Sequence, residues 1–195
     1  DMVWGLDVAR FGNDCSALCK RKGNDVPEPV RVWRNLDLMQ LTGAVVAEYN
    51  ALPTSERPAE ILVDSIGLGA GVVDRLRELG LPTRGVNVSE SPSMGDTYRN
   101  LRAELWGKAK TWLEHRDCRL PNDERLINEL ATVRYKFTSN GKMQVEAKDE
   151  IKKRGLKSPD LADSFVLTFA SDAAVGLYGS GAGRRWNQPL RRNLQ

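Results

Sequence analysis

The segment Glu60-Ile61-Leu62-Val63-Asp64, a short apolar run between Pro58 and Gly67, constrains the fold of this chain more than any other feature. It has the pattern of a central strand in a parallel sheet, and such sheets are covered by helices on both faces. The surrounding sequence supplies the other parts. Met2 to Ala9 reads as a buried strand, Cys15 to Arg21 as its partner, and Val30 to Arg34 as a third strand after the polar turn Lys22-Gly23-Asn24-Asp25. Leu38 to Leu52 has helical spacing of apolar residues, and Ala70 to Leu79 places Val72, Val73, Leu76 and Leu79 on one helical face. Arg84 to Val88 is another short strand, followed by a Ser/Pro/Gly-rich loop from Ser89 to Gly95. The pattern predicts a longer helix over Asp96 to Glu114 and a second from Asn122 to about Val133. Tyr135-Lys136-Phe137 and Met143-Gln144-Val145 flank Ser139-Asn140-Gly141, and Asn-Gly favours the primed turns of a tight hairpin. The last helix opens at Ser158-Pro159, with Ser158 as N-cap and Pro159 in the first turn. The expected fold is α/β: a mixed sheet flanked by helices, with an extra hairpin before the final helix.

Composition bounds the size and setting. The 195 residues, 41% hydrophobic and 28% charged, make one ordinary domain with room for a core. No apolar run is long enough to span a bilayer, so no membrane partner is expected. The N-terminus lacks a signal-peptide pattern and starts in mid-strand, as a domain cut from a longer protein would. Cys15, Cys19 and Cys118 form no CxxC pair and read as reduced core residues of a cytoplasmic protein. From Gly176 onward the only charged residues are Arg184, Arg185, Arg191 and Arg192. Without those four, 25 basic residues face 26 acidic ones, so the chain is not a generally basic nucleic-acid binder and any DNA binding by the body must come from local patches. The expected division is a folded body over 1–175 and a flexible basic tail over 176–195.

Acids stand where burial argues against them. Asp7 sits inside the apolar strand Val3 to Ala9, Asp64 ends another, and Asp160 and Asp163 are spaced to share one face of the final helix. An unpaired carboxylate in such surroundings costs several kcal/mol, so each needs a partner or a cation. Converging carboxylates without histidine suit a hard, oxygen-loving ion such as Mg²⁺ or Mn²⁺. His115 is the only histidine, which excludes a His-based triad. Plainer roles exist for the acids: Asp7 as a cap on the following turn, Asp64 as support for Ser65-Ile66-Gly67, Asp160 as a charge gaining from the helix dipole, and Asp163, one turn further in, gaining less from it. Asp14 reads as a turn residue.

The set, in this order, carries a resemblance. Gly5-Leu6-Asp7-Val8-Ala9 running into Gly12-Asn13-Asp14-Cys15-Ser16 resembles the first acidic strand and hairpin of tailed-phage terminase large-subunit nucleases. Ile61 to Gly69 is similar to their second acidic strand and glycine turn. Lys148 to Gly155 leading into Ser158-Pro159-Asp160-Leu161-Ala162-Asp163-Ser164 resembles their basic segment and closing acidic helix. The resemblance runs from about residue 2 to 174. It implies an RNase H-like (RuvC-like) fold and an endonuclease that cleaves double-stranded, concatemeric phage DNA with two metal ions during genome packaging. On that pattern Asp7 bridges the metals, Asp64 holds one, and Asp160 or Asp163 completes the other. It also implies an upstream ATPase domain, a portal ring and a small terminase subunit as partners, in the cytoplasm of the infected host. The chain has no GxxxxGK[ST] loop and is not itself the motor.

Lys148, Lys152, Lys153, Arg154 and Lys157 precede the acidic helix, and Lys136 and Lys142 lie on the hairpin. All seven are candidate DNA-backbone contacts, which bring affinity without sequence preference; a solvated helix face is the plainer alternative for the first group. Competing functional readings are a resolvase- or transposase-type nuclease of the same fold, an actin-like nucleotide-binding module, and a non-catalytic module docking on DNA or a portal. The actin-like kind needs a second half that this chain lacks.

Overall fold

The structure, a computed structural model, describes residues 1–9 and 12–171; the tail expected over 176–195 lies outside them. The central sheet contains β1 (Met2–Asp7), β2 (Ser16–Lys22), β3 (Arg31–Trp33), β4 (Glu60–Asp64) and β5 (Thr83–Val86), in the order β3-β2-β1-β4-β5. β1 pairs antiparallel with β2, and β2 with β3, while β1, β4 and β5 run parallel. The apolar run ending at Asp64 is therefore a central parallel strand. Helices α1 (Leu38–Asn50) and α2 (Gly69–Glu78) cover one face, packing Leu41, Val45, Val72 and Leu76 on Trp4, Leu6, Ile61 and Val63. Helices α3 (Leu101–Glu114), α4 (Glu124–Thr132) and α6 (Asp160–Leu167) cover the other, packing Leu105, Leu126, Leu161 and Phe165 on Val3, Cys19 and Leu62. Val3 and Trp4 thus serve opposite cores, as alternation along a strand requires. Between α4 and α6 come the hairpin β6 (Tyr135–Phe137) and β7 (Met143–Val145) and the short helix α5 (Lys148–Lys153). Among the described residues no helix is long and apolar enough to cross a membrane.

Three local expectations are corrected. Helix α3 starts at Leu101 rather than Asp96, capped by the Asn100 side chain on the Ala103 N–H. The preceding residues are held by β7 instead: the Met143 N–H donates to Thr97 O, and the Arg99 N–H to Met143 O. The hairpin turn is not a primed one. The Gly141 N–H donates to Thr138 O at 2.9 Å and Gly141 has φ of 81°, whereas Asn140 stays out of positive φ. That combination is a three-residue loop ending in a left-handed glycine, the other common hairpin solution. Ser158 does not cap α6: Pro159 holds the N-cap position, and the buried Ser158 hydroxyl meets no partner.

One packing contact decides where α6 sits. A Cβ on Gly5 would lie 2.0 Å from the Ser164 carbonyl oxygen, so the α6 backbone rests directly on β1 where β1 has no side chain. This close seating brings the first turn of α6 beside the end of β1.

Candidate active site

Asp7 ends β1 and Asp64 ends β4, each one residue beyond the parallel pair Leu6 and Val63. They therefore stand side by side at the carboxyl edge of the sheet, where ligands of open α/β sheets bind. Helix α6 delivers Asp160 and Asp163 from its first turn to the same edge. Asp7, Asp160 and Asp163 are all buried, and Asp64 is half-buried.

The meeting point is taken by Lys148, the first residue of α5. Its Nζ is 2.8 Å from Asp7 Oδ2, 3.5 Å from Asp163 Oδ2 and 3.6 Å from Asp160 Oδ1. Ile151, one turn on and buried, anchors the face of α5 that carries Lys148. The other oxygens of the α6 acids are tied down. Asp160 Oδ2 accepts the Cys15 N–H at 3.0 Å. Asp163 Oδ1 accepts Trp106 Nε1 and Arg102 Nη2, each at 3.1 Å. Asp64 Oδ1 accepts the Ile66 N–H at 3.1 Å, which makes its turn-supporting role real alongside any other.

The electrostatics follow from four carboxylates facing one ammonium and one guanidinium. Burial pushes the Asp7 pKa up to about 7, and the Asp163 and Asp160 charges add to it against Lys148. Burial likewise raises Asp64. For Asp163 burial pulls upward, but Arg102, Lys148 and the Trp106 N–H outweigh it and the pKa is lowered. Burial opposes the Lys148 charge too, yet the Asp7 and Asp163 carboxylates prevail and raise it. Lys148 stays an ammonium, and Asp7 absorbs the remaining repulsion.

Among the described residues no three Asp, Glu, His or Cys side chains converge closely enough to hold an ion as they stand. The chemistry of the donor set nonetheless fits a hard divalent cation: every facing atom is a carboxylate oxygen, one cation already bridges three of them, and one ammonium does not neutralise the cluster.

The basic residues separate. Lys148 faces the acids. Arg154 is an internal brace, donating to both Glu146 carboxylate oxygens at 2.6 and 2.7 Å and to Thr132 O. Lys152 is exposed and pairs with Asp14 at 2.9 Å. Lys153, Lys157 and Lys136 are exposed, and Lys142 is half-buried beside the hairpin tip. Cys15, Cys19 and Cys118 are free thiols. Sequence reading did not find Arg102 and Trp106; their i, i+4 spacing on α3 was the available signal, but nothing local names Asp163 as their shared partner.

No protein-family profile and no curated protein matches this chain. Solved structures do. A mutant nuclease domain of the large terminase subunit gp2 of bacterial virus Sf6, with manganese and beta-thujaplicinol, superposes with a TM-score of 0.70 at 24% identity, over 86% of this chain and 87% of that one. The fold is that of a large-terminase nuclease domain. The large terminase nuclease of thermophilic phage G20c with bound magnesium matches at TM-score 0.64 and 18% identity, over 87% of this chain and 80% of that one. The nuclease domain of Thermus phage P74-26 matches at 0.60 and 16%, over 86% and 77%. The five-stranded mixed sheet and the β6–β7 hairpin before α6 agree with the expected α/β architecture, and the match to terminase nuclease domains agrees with the fold that the resemblance implied.

Proposed function

We propose that this domain is a metal-dependent endodeoxyribonuclease that cuts double-stranded, concatemeric phage DNA during genome packaging. The observation that carries the reading is the gathering of Asp7, Asp160 and Asp163 around one cation, beside Asp64, at the carboxyl edge of a terminase-nuclease sheet. Divalent ions such as the manganese and magnesium named for the Sf6 and G20c domains would supply Lewis-acid stabilisation and an activated water. Asp7 and Asp64, on adjacent strands, would hold two such ions with the α6 acids. The Cys15, Trp106 and Arg102 donors fix one oxygen of each α6 acid and leave the other facing the cluster, so these ligands are oriented in advance. Lys148 keeps the acids together and, being about a third exposed (36%), can also donate to a phosphate oxygen entering from solvent. Lys153, Lys157, Lys136 and Lys142 would grip the DNA backbone. The wider assembly on this reading comprises an ATPase domain, a portal ring and a small subunit, in the host cytoplasm.

Asp7→Asn and Asp64→Asn should each abolish Mn²⁺-dependent plasmid cleavage without unfolding the protein, a loss of several kcal/mol of transition-state stabilisation. Near wild-type cleavage by either variant sinks the site assignment. DNA retention by a wild type that never cuts with Mg²⁺ or Mn²⁺ favours the docking module instead.

A further inference from the structure

Helix α6 begins without a side-chain cap of its own, because Pro159 has no side-chain acceptor and the Ser158 hydroxyl makes no hydrogen bond. The acceptor comes from another helix. Glu129 of α4, 8% exposed, takes the Ala162 N–H on Oε2 at 2.9 Å and Arg125 Nε on Oε1 at 3.1 Å. Arg125 Nη2 also donates to Cys15 Sγ at 3.3 Å. The Cys15 N–H and thiol in turn both donate to Asp160 Oδ2, at 3.0 and 3.5 Å. Glu129 thus touches none of the four acids, yet it binds the helix turn that carries two of them and, through Arg125, the residue that grips Asp160.

A Ser or Asp at the start of α6 would cap it at little cost. A carboxylate buried from a neighbouring helix carries a larger desolvation cost unless well paired. What the costlier arrangement adds is a fixed position of the first turn of α6 relative to α4 and β2. We propose that Glu129 is a positioning residue for the carboxylate cluster: by holding the Ala162 N–H, and through Arg125 the Cys15 thiol, it sets where Asp160 and Asp163 stand relative to Asp7. The proposal rests on the cleavage reading above.

Wild type, Glu129→Ala, Glu129→Gln and Arg125→Ala are compared by melting in EDTA, by the Mn²⁺ concentration giving half of the metal-induced rise in Tm, and by kcat and KM for plasmid cleavage. Glu129→Ala should raise the Mn²⁺ midpoint and lower kcat by roughly 10- to 100-fold, since misplacement by about 1 Å is enough for losses of that order. KM for DNA should stay within about twofold, because no group that touches DNA is removed. Glu129→Gln keeps an acceptor for Ala162 and should recover most of both losses. Arg125→Ala should fall between, and it carries the test if Glu129→Ala does not fold. A purely structural cap would lower Tm in EDTA yet leave the Mn²⁺ midpoint and kcat of the folded variants unchanged; that result overturns the proposal, as does a Gln variant as impaired as the Ala one. Mn²⁺ stabilisation of wild type without cleavage removes the nuclease reading, and the midpoint shift still decides the role of Glu129. If Mn²⁺ stabilises no form, both fall.

Discussion

Asp7 is 4% exposed, with its pKa pushed up to about 7 chiefly by burial. That value lies above the unfolded value of about 4, so the folded state holds this proton more tightly; the associated stability is complete below pH 4 and is lost as pH rises through about 7. In EDTA, Asp7 should contribute a fall of up to about 1.4 kcal/mol per pH unit in that window, and Asp7→Asn should remove it. Glu129, also pushed up to about 7 mainly by burial, keeps its own slope in the variant. Mn²⁺ should return about 2.7 kcal/mol to wild type at a hundredfold excess over Kd, and far less to Asp7→Asn. Urea unfolding from pH 4 to 8 reads both effects, and identical slopes for the two proteins would mean that another group titrates. The acids were legible in the sequence because a carboxylate in an apolar run is anomalous wherever it occurs. The inward turn of Lys148 was not, since a lysine in a basic stretch looks solvated until Ile151 is known to anchor that face of the helix. Arg102 and Trp106 were hidden for a different reason: their partner Asp163 lies 61 and 57 positions away.

Among the elements, hydrophobic periodicity gave β4 to the residue and most other elements to within one or two, because burial against the two cores dictates them. It failed where long-range backbone pairing won over local preference, as at Thr97 and Arg99, which bond to Met143 of β7 and leave α3 to begin at Leu101. The seating of α6 on β1 is the element-level packing on which the site depends. Gly5→Ala would force its new methyl against the Ser164 carbonyl, and such overpacking costs about 1–3 kcal/mol. It should also lower cleavage well beyond the loss of folded protein, because α6 must shift with both of its acids. Melting and plasmid cleavage compared at a temperature where the variant is fully folded provide the check. An unchanged Tm and rate would mean that α6 does not rest on bare backbone there.

At the scale of the whole molecule, a nearly neutral body gathers its buried acids at one sheet edge, so on the cleavage reading a polyanion would be held mainly by lysines around that edge. Among those proposed contacts Arg154 is bonded to Glu146, Lys152 is exposed but paired with Asp14 and Lys142 is half-buried, so the test takes the exposed Lys136, Lys153 and Lys157. Replacing those three by Ala should flatten the salt dependence of duplex binding by about 0.9 in log–log slope for each phosphate that is no longer neutralised, equally for all sequences. An unchanged slope would identify them as solvated surface. The bond from Cys15 to Asp160 spans 145 positions and joins the residue just before β2 to α6. A chain emerging from the ribosome therefore carries Asp7 and Asp64 long before it carries the acids that complete their cluster. Until residue 163 is out and α6 has docked on Gly5, the four acids are not gathered at one sheet edge.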